Sequence, residues 1–129
     1  MTDFRRAKIL GIARDIPEQG FVAGGPDDRL LILGWGSTFG AIESAVDRLR
    51  AGGAAVAHAH LRHIWPLPAN LGDILAGFDR VLVPELNAGQ LSFLLQGVYG
   101  CRVESLTKVS GKPFTAAEIE TRVKTLLEA

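Results

Sequence analysis

Apolar positions along this chain follow two rhythms. Leu30-Leu31-Ile32-Leu33 is a short continuous apolar run. A run of that length bounded by turn residues reads as a strand buried on both faces. It ends at Gly34-Trp35-Gly36, followed by Ser37 and Thr38. Helical spacing then takes over. Ile42, Ala45, Val46 and Leu49 form one apolar stripe, while Glu43, Asp47, Arg48 and Arg50 fall mostly on the wet side. Gly52-Gly53 stops the helix. Strand, glycine turn and helix together open an open α/β sheet. Gly34 and Gly36 permit a sharp reversal and a close approach. Ser37 or Thr38 is placed to cap the first free N–H groups of the helix.

The same rhythms recur on both sides of this unit. Residues 3–16 carry Phe4, Ile9, Ile12 and Ile16 at about helical spacing, and Pro17 ends that segment. It docks either on this domain's own sheet or on a preceding domain. Residues 17–29 are rich in Gly, Pro and Asp and form the best candidate boundary, so residues 1–28 are read as helix and linker and 29–129 as the α/β domain. Phe21 to Ala23 offers a short edge strand within that linker. Ala54 to Leu61 predicts a second main strand, and a proline-stiffened loop runs over 62–68. Asn70 is placed to cap a short helix through Phe78. Arg80 to Pro84 predicts a strand with Glu85 just past its end. Asn87 to Tyr99 predicts a helix with the stripe Leu91, Leu94, Leu95 and Val98. Cys101 to Leu106 predicts the last strand. Thr115 and Glu118 make a capping box for a final helix anchored by Ile119, Val123, Leu126 and Leu127. Four strands separated by helices, with a fifth at 21–23, give a largely parallel sheet covered on both faces.

Composition narrows the class. The 129 residues bury roughly two-thirds of their unfolded surface, enough for one domain with a real core. Fourteen basic residues balance fourteen acidic ones, so charge gives no reason to propose nucleic acid or an anionic membrane as partner. Cys101 is the only cysteine, which rules out a disulfide within the chain and a cysteine-only metal site. No apolar run approaches the ~20 residues that span a bilayer. A cytoplasmic location is the expectation.

Three constellations invite chemistry. Gly34, Gly36 and Gly40 spell G-x-G-x-x-x-G, but the next strand ends in His58, Ala59, His60 and Leu61 with no carboxylate for a ribose. A structural turn with close helix–strand packing is the better reading. His58 and His60 lie two apart on a strand and share a face, with His63 beyond them. No Asp, Glu or Cys close in sequence completes a metal set, so one of the pair is read as a hydrogen-bonded residue at the sheet's end. Glu85 is the third. In an open α/β sheet ligands gather beyond the carboxyl ends of the strands, where Gly36-Ser37, His60-Arg62, Glu85-Asn87 and Lys108 all fall. Glu85 is held by a neighbouring arginine or by backbone N–H groups, or else the polar edge meets another domain or subunit. No nucleophile and base pair up here. There is no Ser-His-Asp arrangement, no nucleophile elbow and no Walker lysine.

Four motifs taken in order carry a resemblance: LGWGSTFGAI (33–42), HAHLRHIWPLPANL (58–71), VLVPELNAGQL (81–91) and LTKVSGKPFTAAEI (106–119). They are similar to the C-terminal region of the alpha subunit of 2-oxoacid:ferredoxin oxidoreductases, most of all the 2-oxoglutarate type. The resemblance implies a transketolase C-terminal domain, a three-layer α/β/α sandwich with about five strands, one of them antiparallel and preceding the glycine turn. It also implies a preceding pyrimidine-binding thiamine domain and a separate beta subunit. The complex would use thiamine diphosphate, magnesium, an iron–sulfur cluster and coenzyme A, and would pass electrons to ferredoxin. None of those cofactors is expected in this chain, and no catalytic residue is carried over, so the chain alone is expected to be inactive. A single cysteine cannot hold an iron–sulfur cluster.

Within the motifs, Gly34, Gly36, Ser37, Thr38, His60, Arg62, Glu85, Asn87, Gln90 and Lys108 stand as interface or ligand-edge candidates. The expected role is a structural and subunit-contact domain. The alternative is a free-standing domain that binds a phosphate or coenzyme A at the Gly34–Gly36 turn. A homodimer through an orphaned interface is a third expectation.

Overall fold

The computed structural model describes residues 19–62, 67–85, 90–100, 102–108 and 112–128. The expectations placed on residues 3–16, on His63 to Pro66, on Asn87 and on Cys101 lie outside those residues.

The Leu30 run becomes β1, Leu30–Trp35, buried from Leu30 to Gly34. A 3-10 turn, Gly36–Thr38, leads into α1, Phe39–Ala51. Next come β2, Val56–Leu61, α2, Leu71–Ala76, β3, Arg80–Glu85, α3, Gln90–Tyr99, β4, Glu104–Thr107, and α4, Ala116–Glu128. The strands form one parallel sheet in the order β2-β1-β3-β4. Strand alternation sends each strand's apolar side chains to two cores. Leu31, Leu33, Ala57, Ala59, Val81 and Val83 face α2 and α3. Leu30, Ile32, Val56 and Leu82 face α1 and α4, which meet them with Ile42, Val46, Ile119 and Val123. This is the sheet covered on both faces expected from the pattern, and the α/β/α sandwich that the resemblance implies.

The order 2-1-3-4 places a topological switch point at the carboxyl ends of β1 and β3, where connections leave in opposite directions. The β1–β3 ladder covers Leu30↔Arg80 to Ile32↔Leu82, whereas β1–β2 pairs all six positions. The weak strand at 21–23 survives as a single antiparallel bridge, Ala23↔His58, on the outer edge of β2. Val22 N–H donates to His58 O at 2.7 Å and His58 N–H donates to Ala23 O at 2.9 Å.

Several expectations need correction. Neither Ser37 nor Thr38 caps α1, which has no side-chain cap. Thr38 Oγ1 turns back and donates to Trp35 O at 3.0 Å inside the 3-10 turn. Asn70 does not cap α2 either. Its amide is occupied by the entering chain: Gln19 N–H donates to Asn70 Oδ1 at 2.7 Å, and Asn70 Nδ2 donates to Gln19 O at 2.9 Å. The last strand starts at Glu104 rather than Cys101 and runs to Thr107. The capping box is present as expected. Glu118 N–H donates to Thr115 Oγ1 at 3.2 Å, and Thr115 N–H donates to Glu118 Oε1 at 3.0 Å.

Candidate functional site: the carboxyl edge of the sheet

The candidate residues divide into three groups along the edge. The first surrounds the β1 turn. Gly34 is buried and lies beside His60 in register. A Cβ at Gly34 would meet Ile42 Cδ1 and sit 2.9 Å from His60 Nδ1, so only glycine lets α1 and β2 come this close. Gly36 has φ +64, a left-handed conformation that glycine adopts without strain. His60 Nε2–H donates to Gly36 O at 3.2 Å, which ties the turn to β2. Because a carbonyl only accepts, that bond fixes the proton on Nε2 of the neutral ring. Ser37 is exposed, Thr38 is buried, and Arg62 lies exposed past the end of β2.

His58, one step inward on the same face, is fully buried. Its ring meets Phe39 at 5.4 Å and His60 at 6.0 Å, centroid to centroid. Neither of its ring nitrogens has a hydrogen-bond partner among the described residues. Sequence reading expected one of the two histidines to be hydrogen-bonded, and that one is His60. Burial first, and the neighbouring His60 second, lower the His58 pKa to about 4. His60 is also lowered, chiefly by burial, with Arg62 adding to the effect and the Gly36 carbonyl opposing it.

The second group is built on Glu85. This carboxylate is buried, and it points into its own fold. Oε1 accepts from Leu91 N–H at 2.6 Å, and Oε2 accepts from Ser92 N–H at 3.2 Å and Ser92 Oγ at 3.1 Å. It therefore sits on the amino end of α3, where free N–H groups and the helix dipole both favour an anion. Of the two structural partners considered, backbone N–H groups hold it. Gln90 opens α3 and is exposed, and Asn87 lies outside the described residues.

The third group centres on Lys108. Its Nζ donates to Glu118 Oε1 at 2.7 Å and to Pro113 O at 3.1 Å, and it lies 5.9 Å from the centre of the Phe114 ring. The Lys108 hydrogen bond, with those from Thr115, lowers the Glu118 pKa. Lys108 N–H donates to Glu85 O at 3.0 Å, so the second and third groups meet through the backbone.

The structure thus gathers Gly34, Gly36, Thr38 and His60, and sets Glu85 and Lys108 apart, each with partners of its own. Among the described residues, no group of three or more His, Cys, Asp or Glu side chains could hold a metal ion. No helix there is long and apolar enough to cross a membrane. Sequence reasoning did not find the Phe39 contact with both histidines. Phe39 stands one residue after the turn, and that position was the available signal.

A family model for the pyruvate:ferredoxin oxidoreductase core domain II matches residues 29–122. The chain is 47% identical over 119 residues to the 2-oxoglutarate oxidoreductase subunit KorA of Mycobacterium tuberculosis, covering 92% of this chain and 18% of that protein. It is 30% identical over 129 residues to the 2-oxoacid:ferredoxin oxidoreductase 2 subunit alpha of Aeropyrum pernix, covering 96% and 20% respectively. It therefore spans about a fifth of the length of these curated relatives. The solved 2-oxoglutarate:ferredoxin oxidoreductase from Magnetococcus marinus, with 2-oxoglutarate, coenzyme A and succinyl-CoA bound, superposes with a TM-score of 0.83 at 30% identity, over 90% of this chain and 21% of that one. The alpha chain of a probable 2-oxoacid ferredoxin oxidoreductase from Thermoplasma acidophilum shares the fold, with a TM-score of 0.60 at 21% identity over 87% of this chain and 98% of that one. With four motifs, the sheet order and these likenesses in agreement, the chain belongs to the pyruvate:ferredoxin oxidoreductase core domain II family.

Proposed function

We propose that this chain is a non-catalytic, subunit-contact part of the alpha subunit of a 2-oxoacid:ferredoxin oxidoreductase, of the 2-oxoglutarate type. The whole assembly would oxidatively decarboxylate a 2-oxoacid with coenzyme A and reduce ferredoxin. Thiamine diphosphate, magnesium and the iron–sulfur cluster would belong to its other parts. The observation that supports the non-catalytic part of the reading is the fate of Glu85. The one carboxylate at the switch point has both oxygens engaged by the amino end of α3. A group held this way stabilises the sheet edge and is not presented to a substrate. The likeness to the KorA subunit supports the 2-oxoglutarate assignment. Calorimetric titration of the 129-residue chain with thiamine diphosphate and magnesium tests the reading. No binding is expected, and micromolar binding contradicts it.

A second reading has one observation in its favour. No side chain caps α1, and Ser37 and Gly36 at its entrance are exposed. Free N–H groups at a helix entrance suit a phosphate, such as those of coenzyme A. A ligand at a hundred times its dissociation constant adds about 2.7 kcal/mol of stability. Thermal melts with coenzyme A and with inorganic phosphate decide it: a shift of that size promotes the binding reading, and unchanged melts discard it.

A further inference from the structure

β4, Glu104–Thr107, is the outer strand of the sheet, with β3 on one side and no strand among the described residues on the other. Lys108 N–H reaches Glu85 O of β3 at 3.0 Å. Backbone groups of successive strand residues turn to alternate sides. Those of Glu104 and Leu106 therefore also face β3, and those of Ser105 and Thr107 face outward. Both Ser105 and Thr107 are exposed, and their outward N–H and C=O groups meet no partner among the described residues.

Three guanidinium groups converge on one carboxylate at the start of this strand. Glu104 Oε1 lies 3.5 Å from Arg80 Nη1 and 3.8 Å from Arg102 Nε, and Glu104 Oε2 lies 3.7 Å from Arg122 Nη2. Charge-assisted bonds from arginine run at about 2.7–2.9 Å, so none of the three is drawn in tightly. Arg122 Nε is shielded from water and has no acceptor among the described residues. The Arg102 side chain is 88% exposed. Asp79, next to Arg80 in sequence, faces Arg29 at 4.0 Å. The edge thus holds a local excess of positive charge in a chain whose formal charge is zero. Charge on an edge strand is one way a sheet avoids a neighbour. Mixed charge serves that purpose as well; an excess of one sign with unspent donors selects a neighbour.

We propose that the outer edge of β4 docks an extended acidic segment from another domain or subunit of the assembly. The segment lies beside β4 as an added strand and pairs with the outward backbone groups of Ser105 and Thr107. Alternate residues of a strand share a face, so Asp or Glu at every second position meets Arg102 and Arg122. A second copy of this chain does not fit, because pairing β4 with β4 sets one arginine cluster against another. The proposal deepens the subunit-contact reading and rests on it for the source of the segment.

The test uses the native polypeptide in its assembly. Benzoylphenylalanine replaces Thr107, irradiation links it to its neighbour, and linked peptides are mapped by mass spectrometry. Links to a segment of another domain or subunit with Asp or Glu at alternate positions are expected. Links to β4 of a second copy, to a segment without such carboxylates, or to nothing overturn the proposal. Amide hydrogen exchange resolved to single residues reads the unsubstituted edge. Ser105 and Thr107 are expected to exchange within tenfold of Leu106, whose N–H faces β3, and a wider gap overturns the proposal. Arg102→Glu is expected to speed exchange at Ser105 and Thr107 by tenfold or more and to leave Leu106 as it was. Unchanged rates, or an equal change at Leu106, overturn it. The subunits and 2-oxoacid oxidoreductase activity of the same sample report on the proposed function separately. An active assembly whose Ser105 and Thr107 exchange freely would sink the docking edge alone.

Discussion

At the scale of single residues, Glu85 and His58 show two ways a polar group survives burial. Glu85 answers three donors at once, so its removal leaves Leu91 N–H, Ser92 N–H and the Ser92 hydroxyl without their acceptor. Glu85→Ala is expected to cost about 2–4 kcal/mol in denaturant unfolding. His58 has no such partners among the described residues and stays neutral. Its pKa is about 4 in the fold against an ordinary 6.5, so the unfolded chain takes up the proton first as pH falls. The fold should therefore lose stability between pH 6.5 and about 4, by up to about 3 kcal/mol from this residue, and should be unaffected by it above pH 7. His58→Leu should flatten that acid limb in unfolding curves recorded across the range. An unchanged limb would contradict the assignment.

Glu85 and the glycine turn were legible at strand ends because sheet chemistry collects there. The direction each side chain takes was not legible. Glu85 turns inward because α3 begins beside it, and Thr38 turns back because the 3-10 turn brings the Trp35 carbonyl within reach. Whether a strand histidine finds a partner depends on what packs over it, and for His58 that is the Phe39 ring.

Among the elements, those with strict helical spacing came out as the pattern predicts. Ile42, Ala45, Val46 and Leu49 are all buried on α1, and Ile119, Val123 and Leu126 on α4. α3 departs from its stripe. Leu91 and Leu95 are buried, but so is Ser92, while Val98 is 46% exposed. The helix is rolled toward Ser92 because Glu85 holds that residue's N–H and hydroxyl. Hydrophobic periodicity cannot register a rotation set by a carboxylate on another element.

Two substitutions probe the helix layers. Ile119→Ala empties a fully buried site between α4 and the sheet and should cost about 2–5 kcal/mol. Gly34→Ala forces Ile42 or His60 aside where α1 meets β1 and should cost about 1–3 kcal/mol. Both are read from denaturant midpoints, and a loss below about 0.5 kcal/mol in either would contradict the packing described.

For the whole molecule, the doubly covered parallel sheet follows from strand and helix order, and the sheet order 2-1-3-4 sets where its polar edge lies. On that edge Thr38, His60, Glu85 and Lys108 are engaged within the domain, whereas Ser37, Arg62 and Gln90 are exposed. The proposed function places the chemistry of a 2-oxoacid oxidoreductase in other parts of the assembly, with this domain as a supporting contact.

The most direct measurement is to isolate the native polypeptide from its source cells with an antibody to this domain. Its mass is determined, and 2-oxoglutarate- and coenzyme A-dependent reduction of ferredoxin is assayed in the same sample. The account predicts a polypeptide several times larger than 13.8 kDa, or separate chains that together carry the activity. A 13.8 kDa protein with no associated subunits and no such activity would contradict it.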